Sequence, residues 1–201
     1  MFNLIEAAGW PIWLLIISSL IAVTLIVERL IYLRRQNIIP AKLLDEVVHE
    51  LKQRGVSPQM LDRLHAGSPL GKVFAAGLKN IKSSPQVMKE SIEEAGRGAS
   101  HEMERFLTTL GTIASISPLL GLFGTVVGMI EIFGAQNAGG AAPTELAHGI
   151  SVALYNTAFG LIVAIPSMIA YRHFRALVDS FTIEMEQQAV KLVEIVHGER
   201  K

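Results

Sequence analysis

Three long stretches of the chain carry no Asp, Glu, Lys or Arg, and the charged residues crowd into the segments between and after them. The stretches are residues 7–27, 106–130 and 146–171, of 21, 25 and 26 residues, counting His148 as neutral. About 20 apolar residues in an α-helix cross the hydrocarbon core of a bilayer, so each stretch is long enough. Trp10 and Trp13 near the start of the first stretch and Tyr32 beyond its end suit an aromatic belt at each interface. The pattern predicts an all-α integral membrane protein with three transmembrane helices, at 8–32, 106–131 and 146–171. Residues 1–7 and 132–145 are then short segments on one side. Residues 33–105 form a helical aqueous domain, and 172–201 an amphipathic helix.

The polar region is helical in period. Leu43, Leu44, Val47, Val48 and Leu51 recur at helix spacing. Ser-Pro occurs at 57–58, 68–69 and 84–85. Serine at the N-cap with proline at N1 is a sound helix start, because proline has no N–H to leave unpaired there. The pattern predicts two or three short helices and then a long one from near Pro85. Nothing clearly stops that helix before the second apolar stretch, although Gly96 and Gly98 weaken it locally. It is expected to run on into the membrane. Beyond the third stretch, Phe174, Val178, Phe181, Met185, Ala189, Leu192 and Val196 step by three or four. They predict a narrow apolar seam on a helix that continues the third span.

Charge orients the spans. The chain has 201 residues with 18 basic and 18 acidic side chains, so its overall balance points to no nucleic acid. All 18 basic residues lie within 29–105 and 172–201. Basic residues mark the cytoplasmic side. The expected topology is N-terminus outside, a large cytoplasmic loop, one short outer loop and a cytoplasmic C-terminus. The opening MFNLIE lacks a basic n-region, so no secretory signal peptide is expected.

The chemistry that would make an enzyme is missing. With no cysteine there is no thiolate site. Gly121, Gly124 and Gly128 lack the strand, lysine and acidic residue of a nucleotide loop, and no second histidine follows His101-Glu102 at zinc-protease spacing. No cofactor or metal site is read. His148 starts the third span and is most simply an interfacial residue.

What is present is two small-residue faces. Gly121, Gly124, Thr125 and Gly128, with Pro118 one turn before them, share one side of the second span. Gly149, Ala153, Thr157, Gly160, Ala164 and Met168 share one side of the third. Beside that side runs a second face with Val152, Tyr155, Asn156, Phe159, Val163 and Pro166. Small residues let helix backbones approach closely, and hydroxyl and amide side chains bond across helices. Pro166 removes a helix hydrogen bond and predicts a kink. Both helix packing and a hydrated path fit these residues. No Asp, Glu, Lys, Arg or His lies in the middle of any span. A proton carrier normally needs such a group there. If protons move here, another polypeptide supplies it.

Two segments, PLLGLFGTVVGMIEIF (118–133) and GISVALYNTAFGLIVAIPSMIAYRHF (149–174), closely resemble the second and third spans of the ExbB/TolQ/MotA proton-channel family. Three spans are nearer to ExbB or TolQ than to MotA. The resemblance implies a bacterial inner-membrane protein with a periplasmic N-terminus. It implies a pentamer around helices of an ExbD- or TolR-like partner that carries an intramembrane aspartate. It further implies that proton uptake drives a TonB-like protein serving uptake across the outer membrane. A TolQ-like role in envelope integrity and a non-conducting scaffold are the alternatives. By motif, Thr125 and Thr157 match the two threonines of the family's proton path, and Pro166 matches the proline of its AIP segment. Val152 stands where many ExbB and TolQ members have glutamate, so that glutamate's role does not carry over. Ser151 and Asn156 are expected to hydrate the path with the two threonines.

Overall fold

The computed structural model describes residues 9–136 and 143–198, and all regular structure among them is helical. Helix α1 is Pro11–Tyr32. A single turn, α2 (Arg35–Ile38), precedes α3 (Leu43–Arg54), α4 (Pro58–Gly67), α5 (Pro69–Lys79) and α6 (Pro85–Glu104). Helix α7 spans Leu107–Gln136, and α8 runs for 54 residues from Pro143 to Val196. Three helical stretches among the described residues are long and apolar enough to cross a membrane: Pro11–Tyr32, Pro85–Gly134, which takes in α6 and most of α7, and Gly149–Val196, most of α8. Pro166 lies inside α8 and does not end it. The segment expected as an outer loop is helical to Gln136 and again from Pro143. Residues 137–142 lie outside the described residues, as do 1–8 and 199–201.

The three Ser-Pro pairs start three helices. Ser57, Ser68 and Ser84 hydroxyls accept from the amides of Met60, Gly71 and Val87 at 3.2, 3.1 and 3.4 Å. Each satisfies one of the four orphan donors of a helix N-terminus, an arrangement worth about 1 kcal/mol per cap.

The helix from Pro85 reaches the second apolar stretch with one two-residue interruption. Arg105 leaves helical geometry at φ −50° and ψ 136°, Phe106 has φ 65°, and a new helix starts at Leu107. Neither glycine nor proline marks the break, so nothing in the local sequence signals it.

The chain divides into two compact units. One comprises the segment up to Glu28 together with Phe106–His173, and the other comprises Arg29–Arg105 with the segment from Phe174 onward. The second unit has a core of its own. Leu70, Val73, Phe74 and Leu78 of α5 are buried, with Met60 and Leu64 of α4 and Met88 and Met103 of α6. On α8, Phe174, Val178, Phe181, Met185, Ala189 and Leu192 are all at most 5% exposed. That stripe steps by three and four and is the apolar seam read from the sequence. Ser100 and Thr182 hydroxyls meet at 3.2 Å, and Arg35–Glu184 (2.5 Å) and Arg175–Glu104 (3.1 Å) form ion pairs at the edge of this unit. Pairs this exposed contribute at most about 1 kcal/mol, so the seam holds α8 in place.

Candidate functional site

The first unit brings α7 and the first half of α8 into close contact along their small residues. A Cβ on Gly121 would lie 2.7 Å from the Asn156 carbonyl oxygen and 3.2 Å from Gly160 Cα. One on Gly160 would lie 2.6 Å from the Ser117 carbonyl oxygen and 3.1 Å from Gly121 Cα. These neighbours are backbone, which no rotamer change can move aside. The two helices therefore cross with Gly121 against Gly160, as small-residue crossings in membranes do. The contact extends outward from there. A Cβ on Gly124 would meet the Asn156 side chain at 2.8 Å, and one on Gly128 would meet Ala153 Cβ at 3.3 Å.

The two threonines meet beside this crossing. Thr125 Oγ1 and Thr157 Oγ1 are 2.6 Å apart. Thr125 Oγ1 also lies 3.0 Å from the Ala153 carbonyl oxygen and 3.2 Å from that of Gly121. One hydroxyl proton therefore has three acceptors within reach. Both threonines are part-buried, so the pair sits at the edge of the packed seam.

Asn156 is 1% exposed and packs on Gly124. Its expected place on a face beside the small-residue stripe is thus corrected: it belongs to the contact stripe itself. The buried residues of this part of α8 are Ala153, Asn156, Gly160, Val163, Ala164 and Ser167, stepping by three, four, three, one and three. The stripe winds around the helix enough to take in residues from both expected faces.

The other sequence candidates lie apart from the hydroxyl pair. Ser151 is exposed, and its hydroxyl donates to the Ala147 carbonyl one turn back at 2.9 Å. Pro166 is exposed and Pro118 half-buried. The side chains of Val152 and His148 lie outside the described residues. Gly149 is set against the Ile132 side chain.

Sequence reasoning missed two residues of the seam. Ser117 is fully buried, bonds to the Ile113 carbonyl at 2.7 Å, and offers its own carbonyl to the face of Gly160. Ser167 is 1% exposed and bonds to the Val163 carbonyl at 2.7 Å. Spacing could have found Ser117, since it stands four residues before Gly121 and extends that small-residue row by one turn.

The opposite face of α7 is apolar and uncovered in the single chain. Leu119, Leu122, Phe123, Val126 and Ile130 are each more than 40% exposed. Trp10 meets Phe123 edge-on with ring centroids 5.8 Å apart. A polar hydroxyl pair is thus held in a packed seam whose outer surfaces suit lipid or other helices.

Residues 65–187 match the model of the MotA/TolQ/ExbB proton channel family. The chain is 30% identical to an ExbB-like biopolymer transport protein of Synechocystis sp., over 84% of this chain and 82% of that one. It is 32% identical to the biopolymer transport protein exbB1 of Vibrio cholerae, covering 81% and 74%. It is equally similar, at 31% identity over 88% and 83%, to the Tol-Pal system protein TolQ of Pseudomonas aeruginosa.

Proposed function

Since this chain belongs to the MotA/TolQ/ExbB proton channel family, we propose that it is the proton-channel subunit of an energy-transducing complex in a bacterial inner membrane. The observation that carries this reading is the Thr125–Thr157 pair at 2.6 Å, in the seam between two helices otherwise built of small residues. Plain packing would be served by alanine or glycine at both positions. Two hydroxyls in contact, with two carbonyls at hand, form a polar strip that can donate to or accept from a third group.

That third group is a carboxyl on a partner helix. The spans of this chain hold no central Asp, Glu, Lys, Arg or His. A charged carboxylate is costly in hydrocarbon, and protonation removes the charge. In this reading an ExbD- or TolR-like subunit supplies an aspartate that exchanges its proton beside Thr125 and Thr157. Copies of the chain, expected to number five, surround the partner helices with their second and third spans. The N-terminus is periplasmic and both basic segments are cytoplasmic, so α7 runs toward the periplasm. Protonation then lets the partner helix move against the ring, and that movement works on a TonB-like protein. Because relatives of both names match comparably, a TolQ-like role in envelope integrity stands beside this one. Loss of iron-chelate uptake in a deletion strain favours the first, and outer-membrane leakage the second.

The test is proton flux into liposomes holding this chain with its co-purified partner. Thr157→Val is expected to cut flux at least about tenfold while the complex still assembles, because a path hydroxyl is lost and a methyl of similar size takes its place. Undiminished flux in that variant, or no flux in the parent complex, sinks the reading and leaves a scaffold. A reporter joined after Asn137 is expected to behave as periplasmic, and cytoplasmic behaviour overturns the topology.

A further inference from the structure

The uncovered face of α7 changes character along its length. Toward Gln136 it is hydrocarbon, with Leu119, Leu122, Val126 and Ile130 exposed. Over the first turns it carries hydroxyls instead. Thr108, Thr112 and Ser115 are all exposed, and their steps of four and three put them on one side of the helix. Leu122 continues that row seven residues after Ser115 and stands three before Thr125. Tyr171 of α8 reaches the same end, since its ring would lie 3.1 Å from a Cβ on Gly111. Two helices of the first unit thus place hydroxyl-bearing side chains there.

Among the described residues, the side-chain bonds of this row stay within α7. The Thr112 and Ser115 hydroxyls donate to the carbonyls of Thr108 and Gly111, one turn back, at 2.9 Å each. Such bonds satisfy the donor and leave the oxygen able to accept once more. Hydrocarbon leaves that capacity unused, and water fills it. One exposed hydroxyl alone signals little: Thr24 of α1 is exposed and donates to the Leu20 carbonyl at 2.8 Å. A row of three beside a phenol is different, because polar side chains within spans gather on a bundle interior or a water-filled cavity.

We infer that Thr108, Thr112 and Ser115 line a water-filled recess that enters the span from the end adjoining the basic segment 29–105. This part of α7 then faces water in the assembled complex and not lipid. The inference rests on the proton-channel reading, whose route it extends. Water that reaches Ser115 stands about 15 Å along the helix from Thr125. A proton leaving the partner's carboxyl has only that part of the span to cross before it meets water. The hydroxyls hold the water by hydrogen bonds, and none of them changes its charge.

The test is thiol labelling, which is unambiguous because the chain has no cysteine of its own. Ser115→Cys and Thr24→Cys are made in the full chain, expressed with its partner. Open membrane sheets, reached by reagent from both surfaces, are treated with a charged methanethiosulfonate that does not enter lipid. The two positions are matched in depth. Each lies eight residues, about 12 Å of helix, from the end of its helix at the basic segment: Leu107 for Ser115 and Tyr32 for Thr24. Ser115→Cys is expected to react about tenfold or more faster, because the attacking thiolate forms in water and is costly in hydrocarbon. Equal rates place the row against lipid and overturn the recess. If Ser115→Cys does not assemble, Thr112→Cys against Val27→Cys decides in the same way, each five residues from the same ends. The labelled complex is then placed in liposomes, where the bulky adduct on Ser115→Cys is expected to abolish proton flux. Fast labelling with unchanged flux overturns the recess as part of the route. A parent complex that conducts no protons refutes the proton reading alone, since the labelling rates still decide whether the recess holds water.

Discussion

Gly160→Ala is a sensitive test of the seam, because two opposing effects have known size. In an unhindered helix the change from glycine to alanine stabilises by about 1 kcal/mol, through reduced backbone freedom. At Gly160 the added methyl would lie 2.6 Å from the Ser117 carbonyl oxygen, 3.1 Å from Gly121 Cα and 3.3 Å from Gly121 N. Carbon needs about 3.5 Å or more from non-bonded carbon. The helices must therefore part by about half an ångström or more, since all three obstacles are backbone. Overpacking of this kind costs about 1–3 kcal/mol. The parting also stretches the Thr125–Thr157 contact from its 2.6 Å toward the limit of an O–H···O bond. The net expectation is destabilisation by up to about 2 kcal/mol, less than the gross clash because the helix propensity gain offsets part of it. Gly96→Ala is the control, since a Cβ there meets nothing within 4 Å and the position is mid-helix on α6. That variant should stabilise by up to about 1 kcal/mol. Unfolding midpoints of the detergent-solubilised proteins, read by circular dichroism, should thus shift in opposite directions. If Gly160→Ala stabilised the protein as Gly96→Ala does, the close crossing would be refuted, and with it the geometry that brings the hydroxyls together.

The remaining predictions probe other parts of the chain. Phe174→Ala should lower stability by about 3–5 kcal/mol in chemical unfolding, because Phe174 is 1% exposed at the head of the apolar seam of α8. Ser68→Ala should cost about 1–2 kcal/mol and more than Ser84→Ala, since the Ser68 cap is buried and the Ser84 cap exposed, so that water replaces only the latter. Ser151→Ala should leave the unfolding midpoint within about 0.5 kcal/mol of the parent, because the exposed hydroxyl bonds only its own helix. A drop in proton flux from that same variant would assign Ser151 to the path, and unchanged flux would remove it.

Amphipathic parts of the chain were legible in the sequence, and parts inside uniformly apolar spans were less so. The α8 seam from Phe174 to Leu192 stands out because charged residues flank every apolar step. The three serine caps were legible because serine followed by proline has a local mechanism. In the spans, the glycines and the two threonines announced a close contact, since small and hydroxyl residues are unusual against Leu and Ile. Asn156 was misplaced because both faces of the third span are apolar with scattered small residues, and no polar edge fixes where contact ends. Ser117 went unnoticed at the end of the glycine row for the same reason. The break at Phe106 was illegible in principle. It lies at a left-handed phenylalanine, which leaves no mark on the local pattern.

The hydroxyl pair bears on what a chain without a central acid can contribute to proton movement. A threonine hydroxyl neither gains nor loses a proton at ordinary pH, so on the proposed reading it cannot carry one across. It can reorient. Thr125 has the Thr157 oxygen at 2.6 Å, the Ala153 carbonyl at 3.0 Å and the Gly121 carbonyl at 3.2 Å, which are three acceptors for one hydrogen. Turning from one to another keeps the donor satisfied throughout, so the pair can present either a hydrogen or a lone pair to a visitor at little cost in hydrogen bonding. An ionised carboxyl beside it needs a donor, and a protonated carboxyl also offers one. A fixed donor such as a buried amide would favour only the ionised form and so hold the partner in one state. A hydroxyl pair serves both forms nearly equally. The proposed path then selects threonine over lysine or arginine for that reason, and substituting either threonine by a one-way donor should trap the partner rather than merely slow it.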